Sequence, residues 1–473
     1  MAPSDPVAPV TTGDTVPPLD ANDEAPWFTP GVRGIGAASF LADVGHEIPT
    51  ALLPSLLTST LGAPAAALGL IEGIADGLAG AARLGGGALA DDPERRRAVA
   101  VGGYSSTAIL SALLGVAGSV WLVGVLRGAA WAARGIRVPA RNALLADIVP
   151  ASAYGRAYGF ERMMDNLGAV GGPLLALLLV SAVGVRTAIL LSVIPGLLAA
   201  MAIVYAIRHI TRPAVRERQP VRIKLRPVLR GRLGRLMVGV GAFEVGNVAA
   251  TLLILRATQL LAPTLGQKGA TQTALGLYIA YNVAATVASL PAGRLGDRWG
   301  TVGILGAGVA LFGLAYLGLA VGSTSLILLA LAFVAAGVAI GCVETAEHAA
   351  VASLAPSDLR GSAFGLLATV QGVGNLAASA VAGALWTLFS GQVAFLYLAA
   401  WMLVALVVLG QLRNGARPPN RLAATVLVAA RLTAWPRPCS SRPSASHGMR
   451  QNSESVVVGS QRVGYPTPFI GVQ

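Results

Sequence analysis

PAGRLGDRWG, residues 291–300, closes one long apolar run and precedes another. In it Gly293, Leu295, Asp297, Arg298 and Gly300 make the pattern G-x-L-x-D-R-x-G, and an earlier copy, GALADDPERRR at 87–97, keeps Gly87, Leu89 and Asp91 in register. A second pair of stretches repeats too: Pro150, Gly155, Ala157, Tyr158, Gly159 and Gly168 recur as Pro356, Gly361, Ala363, Phe364, Gly365 and Gly374. One offset of 206 residues separates both pairs (87 from 293, 159 from 365). Two motifs sharing one offset identify a duplicated chain. A short link between membrane spans needs small residues where helices touch. An Asp there can accept hydrogen bonds from a neighbouring helix N-terminus, and an Arg can pair with an acid or a lipid phosphate. Gly87, Asp91, Gly293, Asp297 and Arg298 therefore read as a latch that holds one conformation and releases it in another.

The composition independently points to a membrane. Of 473 residues, 54% are hydrophobic and 12% charged, and the mean hydropathy of +0.67 is too high for a soluble protein of this length. The net charge of +13 sits between apolar runs and in the C-terminal tail, not on an aromatic-laced domain, so nucleic acid is not an expected partner. Cys342 and Cys439 make no disulfide framework. The scattered histidines (46, 209, 348, 447) show no metal spacing, and no G-x-x-x-x-G-K-[ST] loop is present. No metal, cofactor or ATP is expected, which leaves a proton gradient as the driving force, and no enzyme activity is indicated.

Twelve apolar segments follow one another near 35–57, 66–90, 98–118, 120–140, 157–182, 185–208, 234–258, 270–292, 302–321, 324–350, 362–388 and 391–411. Each has about the twenty residues that a bilayer core of about 30 Å requires. Residues 1–32 lack a basic start and apolar core and read as a disordered arm. A six-helix bundle at 33–208, a basic linker at 209–233, a second bundle at 234–413 and a disordered tail at 414–473 complete the expected organisation. Basic residues gather after the even-numbered spans, at Arg95–Arg97, Arg156, the 208–235 stretch, Arg294, Arg298 and Arg360. Positive charge stays inside, so both termini are expected in the cytoplasm and the linker along anionic headgroups.

The G-x-L-x-D-R-x-G signature after the second and eighth spans resembles that of the major facilitator superfamily of secondary transporters, over residues 33 to 413. In the first copy Asp92 and Glu94 replace the usual Arg and Gly, and Thr301 follows the second copy where a basic residue is usual. The fourth span resembles the superfamily's Arg-containing motif through Arg127, Gly135 and Pro139, which implies a part in proton transfer for Arg127. Gly135–Asp147 fits G-I-R-x-x-x-R-x-A-L-x-A-D, similar to a group of poorly characterised bacterial members. In the fifth span Gly159, Gly168, Gly172 and Pro173 fit G-x8-G-x3-G-P, seen in the superfamily's antiporters, although Ala176 and Leu177 stand where paired glycines are usual. The resemblance implies an all-α fold of twelve transmembrane helices in two pseudo-symmetric six-helix bundles, a small-molecule substrate at their interface and a monomer in the plasma membrane.

Ionisable groups inside spans are costly and point to function. Asp43, His46 and Glu47 share a face of the first span, and two carboxylates buried together suit a proton carrier. Glu72 and Asp76 repeat the i, i+4 spacing in the second span, as a structural pair or a coupling pair. Arg127 has no acid on its own span, so Glu72, Asp76 or Asp43 must reach it. Arg162 and Asp165 suit an internal pair, in a structural or a coupling role. Glu244 and Asn247 lie in the seventh span. In the tenth, Glu344 reads as functional, while Glu347 and His348, close to Pro356, read as water-facing groups. The expected function is proton-coupled efflux, with Asp43, Glu47, Arg127 and Glu344 in coupling. Proton-coupled uptake and a non-transporting membrane sensor or assembly factor are the alternatives.

Overall fold

The computed structural model describes residues 26–209 and 221–413. Residues 1–25 of the arm expected at 1–32, the centre of the basic linker (210–220) and the tail from 414 lie outside the described residues, and the last residues of that arm, from Pro30, are already helical. Thirteen α-helices run in order: α1 (Pro30–Ser55), α2 (Ala65–Ala90), α3 (Pro93–Leu113), α4 (Val120–Ile148), α5 (Tyr154–Leu191), α6 (Val193–Arg208), α7 (Leu225–Val228), α8 (Gly231–Glu244), α9 (Ala250–Trp299), α10 (Thr301–Val321), α11 (Leu326–Leu354), α12 (Arg360–Leu388) and α13 (Gly391–Arg413). There is no strand among the described residues.

These helices make twelve crossings in two bundles of six. Two of the runs turn back within themselves, α5 at Gly184 (φ 78°) and α9 at Gly266 (φ 67°), where only glycine takes a left-handed φ without strain. The fifth and sixth crossings are thus α5 with α6, and α9 carries the end of the seventh and the whole of the eighth. Across the two halves α2 packs on α12, and the eighth crossing packs on α5. These are the same pairing with the halves exchanged, as a duplicated chain requires. Lipid cannot drive helices together by hydrophobicity, so close packing of small residues does. Trp121 and Leu388, 81% and 74% exposed, belong to the apolar outer surface that faces acyl chains.

The structure departs from the expected spans in two ways that shape the site. The fourth and eighth crossings run past their apolar stretches, α4 to Ile148 and α9 to Trp299, so the motifs read as links are the last turns of helices. Gly300, at φ 92°, ends α9. The seventh crossing is not continuous either: α8 stops at Glu244 and helix resumes at Ala250. A break at membrane depth survives only if its backbone is satisfied by protein. Here the Tyr316 hydroxyl accepts from the Val248 amide (3.2 Å), Ser379 Oγ from the Ala249 amide (3.0 Å), and Asn375 Nδ2 donates to the Asn247 carbonyl (2.9 Å).

Candidate functional site

At one end of the molecule the two halves are joined by carboxylates set on helix N-termini. Asp297 Oδ1 accepts from the Gly155 amide at 2.6 Å, and Oδ2 from the Arg156 amide at 3.0 Å and Arg156 Nε at 2.9 Å. In the other copy Asp91 accepts from the Ser362 amide at 2.8 Å and the Ser362 hydroxyl at 2.5 Å. Each carboxylate meets the positive end of a helix dipole in the opposite half. Beneath each, glycines allow backbone contact: a Cβ on Gly293 would overlap the Gly155 carbonyl, and one on Gly361 the Gly87 carbonyl. Arg298 is a correction. It is exposed and makes no polar contact among the described residues, and Arg156 is the arginine that meets Asp297. A third tie joins α4 to α12, where Arg360 donates to Asp147 at 2.9 Å and to the Tyr154 hydroxyl at 2.6 Å. Arg96, which is buried, holds Asp147 from the other side.

Deeper in the first half, carboxylates are matched with cations. Nitrogens of His46 lie 3.2 Å from Asp43 and 3.1 Å from Glu47, and Arg134 reaches Asp43 at 3.5 Å. Gly168 and Gly172 press α5 against this part of α1, with Pro173 one residue further, while Gly159 packs on the Ser289 carbonyl of α9. Arg127 goes elsewhere: it pairs with Glu72 at 2.9 Å, donates to Thr50 at 3.1 Å and lies 3.4 Å from the Trp131 ring centroid. The Trp131 indole N–H donates to Asp76 at 2.9 Å. Asp43 and Glu47 thus pair with His46 and Arg134 and Arg127 with Glu72, and Trp131, 5.6 Å from the His46 ring, joins the two groups. Arg162 pairs with Asp165 at 3.2 Å as expected, within a larger group where Glu161, 1% exposed, accepts from Arg162 at 2.7 Å and lies 2.9 Å from Arg141. Ser39 Oγ donates to Glu161 at 2.7 Å and accepts from Arg141 at 2.8 Å.

Removing one partner of such a pair leaves the other buried and uncompensated. Glu72→Gln is expected to lower stability by about 2 kcal/mol, because a charge-assisted hydrogen bond to a buried guanidinium is lost while the Thr50 and Trp131 contacts remain. Thermal unfolding in detergent would show it, and an unchanged midpoint would remove the pair from the stabilising set.

The second half differs. Glu347 is 0% exposed, accepts only from the Gln371 amide at 2.9 Å, and keeps an Oε1 with no partner among the described residues. Glu244, at the break, accepts from the Asn247 amide at 2.9 Å. Glu344 is half-buried, and its carboxylate takes no hydrogen bond or ion pair among the described residues. Neither Glu347 nor His348 faces water, contrary to expectation. His348 forms a three-ring cluster with Tyr158 and Phe364, 5.8 Å and 6.0 Å away, because α5 and α12 of the closed end cover that part of α11.

Several of these residues were not singled out from sequence. Glu161 stands beside Arg162 in GFERMMD, and Arg141 and Asp147 belong to the Gly135–Asp147 motif, so their signal lay inside stretches already recognised. Arg360 and Arg156 counted only as loop charge.

Two bundles of six crossings, joined at one end by symmetry-related carboxylate ties and holding ionisable groups between their helices, have the architecture of a multi-pass membrane transporter. The family model of the Major Facilitator Superfamily matches residues 35–259 and 248–443. An uncharacterised MFS-type transporter of Methanocaldococcus jannaschii is 30% identical over 77% of this chain and 90% of its own length. An uncharacterised protein of Mycobacterium tuberculosis is 28% identical over 81% and 92%. The fold is shared with a bacterial homologue of the iron transporter ferroportin in an outward-facing state (TM-score 0.65, 17% identity, 81% of this chain and 99% of that one). It is shared too with the Escherichia coli fucose:proton symporter (TM-score 0.63, 15% identity, 82% and 99%). The chain belongs to the major facilitator superfamily, and is a multi-pass membrane transporter.

Proposed function

We propose that the protein is a proton-coupled secondary transporter that exports a small organic solute across the plasma membrane. The observation that carries the coupling is Glu347, a fully buried carboxylate with an amide as its one partner. A bare carboxylate at that depth is too costly to stay ionised without a cation, so it takes up a proton or changes its surroundings. Asp43 and Glu47, by contrast, have His46 and Arg134 beside them and serve better as fixed charges than as carriers. The charged groups facing Glu347 and its neighbours Glu244 and Glu344 are Arg162, Glu161 and Asp165 of α5, Arg83 of α2 and Asp43 of α1, with Tyr281 of α9 and Tyr316 of α10. Arg162 is already held by Glu161 and Asp165, and Arg83 donates to the Ala368 carbonyl at 2.8 Å.

Loop charge supports a cytoplasmic latch end and cytoplasmic termini, which makes the described arrangement closed toward the cytoplasm. Gain of a proton by Glu347 removes a buried charge near that closed end and alters which arrangement is favoured. The antiporter-like glycine pattern of α5 supports export over uptake. The protein is expected to act as a monomer driven by the proton gradient, without a cofactor, with its basic linker against anionic lipid.

Reconstitution into vesicles containing a pH dye tests this reading. Candidate solutes should drive proton movement in the direction opposite to their own in wild type. In Glu347→Gln solute flux down its own gradient should persist and the accompanying proton movement disappear. Proton movement retained in that variant would shift coupling to Glu244 or Glu344, and co-directional movement would make the protein an uptake symporter.

A further inference from the structure

We propose that the exported solute is an organic cation, bound at the break in the seventh crossing with Glu344 as its counter-charge. This rests on the transport reading above and supplies the substrate class that reading lacks.

The charge inventory of the two halves carries the argument. In the first half each buried carboxylate has a cation or a hydrogen-bond donor that completes it, down to the four-residue group around Glu161. In the second half Glu244 and Glu347 have only amides, and Glu344 has no direct partner among the described residues. One proton neutralises one carboxylate, and three stand together. Glu347 Oε1 is fully buried and unsatisfied at the back of this group, which a positive ligand in front of it would offset.

α8 ends at Glu244, so the negative end of its dipole lies on the carboxylate side of the break, and the positive end of the resumed helix lies at Ala250. Tyr281, half-buried and on whose hydroxyl Glu344 and Glu244 act, is stacked on Tyr278 at 5.8 Å and adds an aromatic ring of the kind that attracts ammonium and guanidinium groups. The break is also held open by bonds that do not involve the carboxylates, since Tyr316, Ser379 and Asn375 satisfy its backbone. Glu344 therefore remains available, while Glu244 and Glu347 each accept from one side-chain amide. Glu344 is the accessible member, and Asn247 and Gln371, which donate to Glu244 and Glu347, are half-buried amides whose carbonyls can accept from a substrate N–H. An anionic solute would meet three carboxylates against one cation without an ion pair among the described residues, Arg83, which donates to the Ala368 carbonyl. Arg162, the arginine beside Glu344, is engaged by Glu161 and Asp165.

Equilibrium binding to the purified full-length protein in detergent, at one fixed pH, tests the inference without any proton gradient. Tetraphenylphosphonium and its size-matched anion tetraphenylborate are the probes. Wild type should bind the phosphonium saturably and the borate not at all. Glu344→Gln should weaken phosphonium binding at least tenfold with an unchanged thermal midpoint, since that carboxylate completes no internal pair. Tyr281→Phe should retain affinity within about twofold and Tyr281→Leu lose about fivefold, a split expected of an aromatic face and not of a hydroxyl. Saturable borate binding, no saturable phosphonium binding, or an unaltered Glu344→Gln overturns the inference. Its failure is separable from that of proton coupling. Cation binding without solute-driven proton movement would remove the coupling and leave the site. Proton movement driven by neutral or anionic solutes, without cation binding, would do the reverse.

Discussion

Gly293→Ala is expected to abolish transport while the protein still folds and reaches the membrane. A Cβ at Gly293 would overlap the Gly155 carbonyl and come within 3.1 Å of the Arg156 amide. Both are backbone atoms at the start of α5, with no flexible side chain to move aside, so the overlap is relieved only by parting the two halves. Overpacking a fitted contact costs about 1–3 kcal/mol where neighbours can adjust. Here the cost falls on the closed arrangement alone. About 3 kcal/mol changes the ratio of closed to open by more than a hundredfold. Gly361→Ala should act alike, since its Cβ would lie 2.5 Å from the Asp91 amide nitrogen. Gly276→Ala and Gly303→Ala, with nothing within 4 Å, are the controls and should transport normally. Spin-label distances between the ends of α5 and α9 read the effect directly. An unaltered distance distribution with normal transport in Gly293→Ala would sink the close-contact account of the latch.

Asp297→Asn is expected to shift the same equilibrium by roughly thirtyfold to a hundredfold. The carboxylate accepts three hydrogen bonds, one from the charged Arg156 side chain. Asn keeps a single acceptor oxygen and presents its NH2 to the remaining donors, so about 2–3 kcal/mol of charge-assisted bonding is lost. The equivalent Asp91→Asn should cost less, about tenfold at most. Its partner is Ser362, whose hydroxyl can turn to accept from the new amide. Surface abundance should be unchanged in both, and vesicle transport should fall in the order Asp297→Asn below Asp91→Asn. Equal effects would show that the Arg156 side chain contributes nothing to the latch.

The asymmetry between the two copies illustrates what was legible. That an Asp at this point would sit on a helix N-terminus follows from its chemistry and the repeat, and the hydrogen bonds to Gly155 and Ser362 are of that kind. Arg298 misled because adjacent residues on a helix point about 100° apart, so with Asp297 turned to α5 its neighbour turns out to solvent. The break at 245–249 was illegible because apolar length takes no account of whether backbone groups bond within the helix or to Tyr316 and Ser379. Glu347 and His348 looked wet because Pro356 places them near an exit, and depth along a helix says nothing about α5 and α12 closing over it.

The number of crossings, the duplication and the positions of costly intramembrane charges follow from local quantities: apolar length against bilayer thickness, a repeat offset, a side chain's ionisability. Whether a given carboxylate is neutralised or bare depends on its neighbours, and those come from far along the chain. Glu161 meets Arg141 and Ser39, Asp91 meets Ser362, and Glu347 meets only Gln371. Electrostatic energy depends on separation in space, which the order of residues does not state, so only the packing of the helices reveals which charges are left to do work.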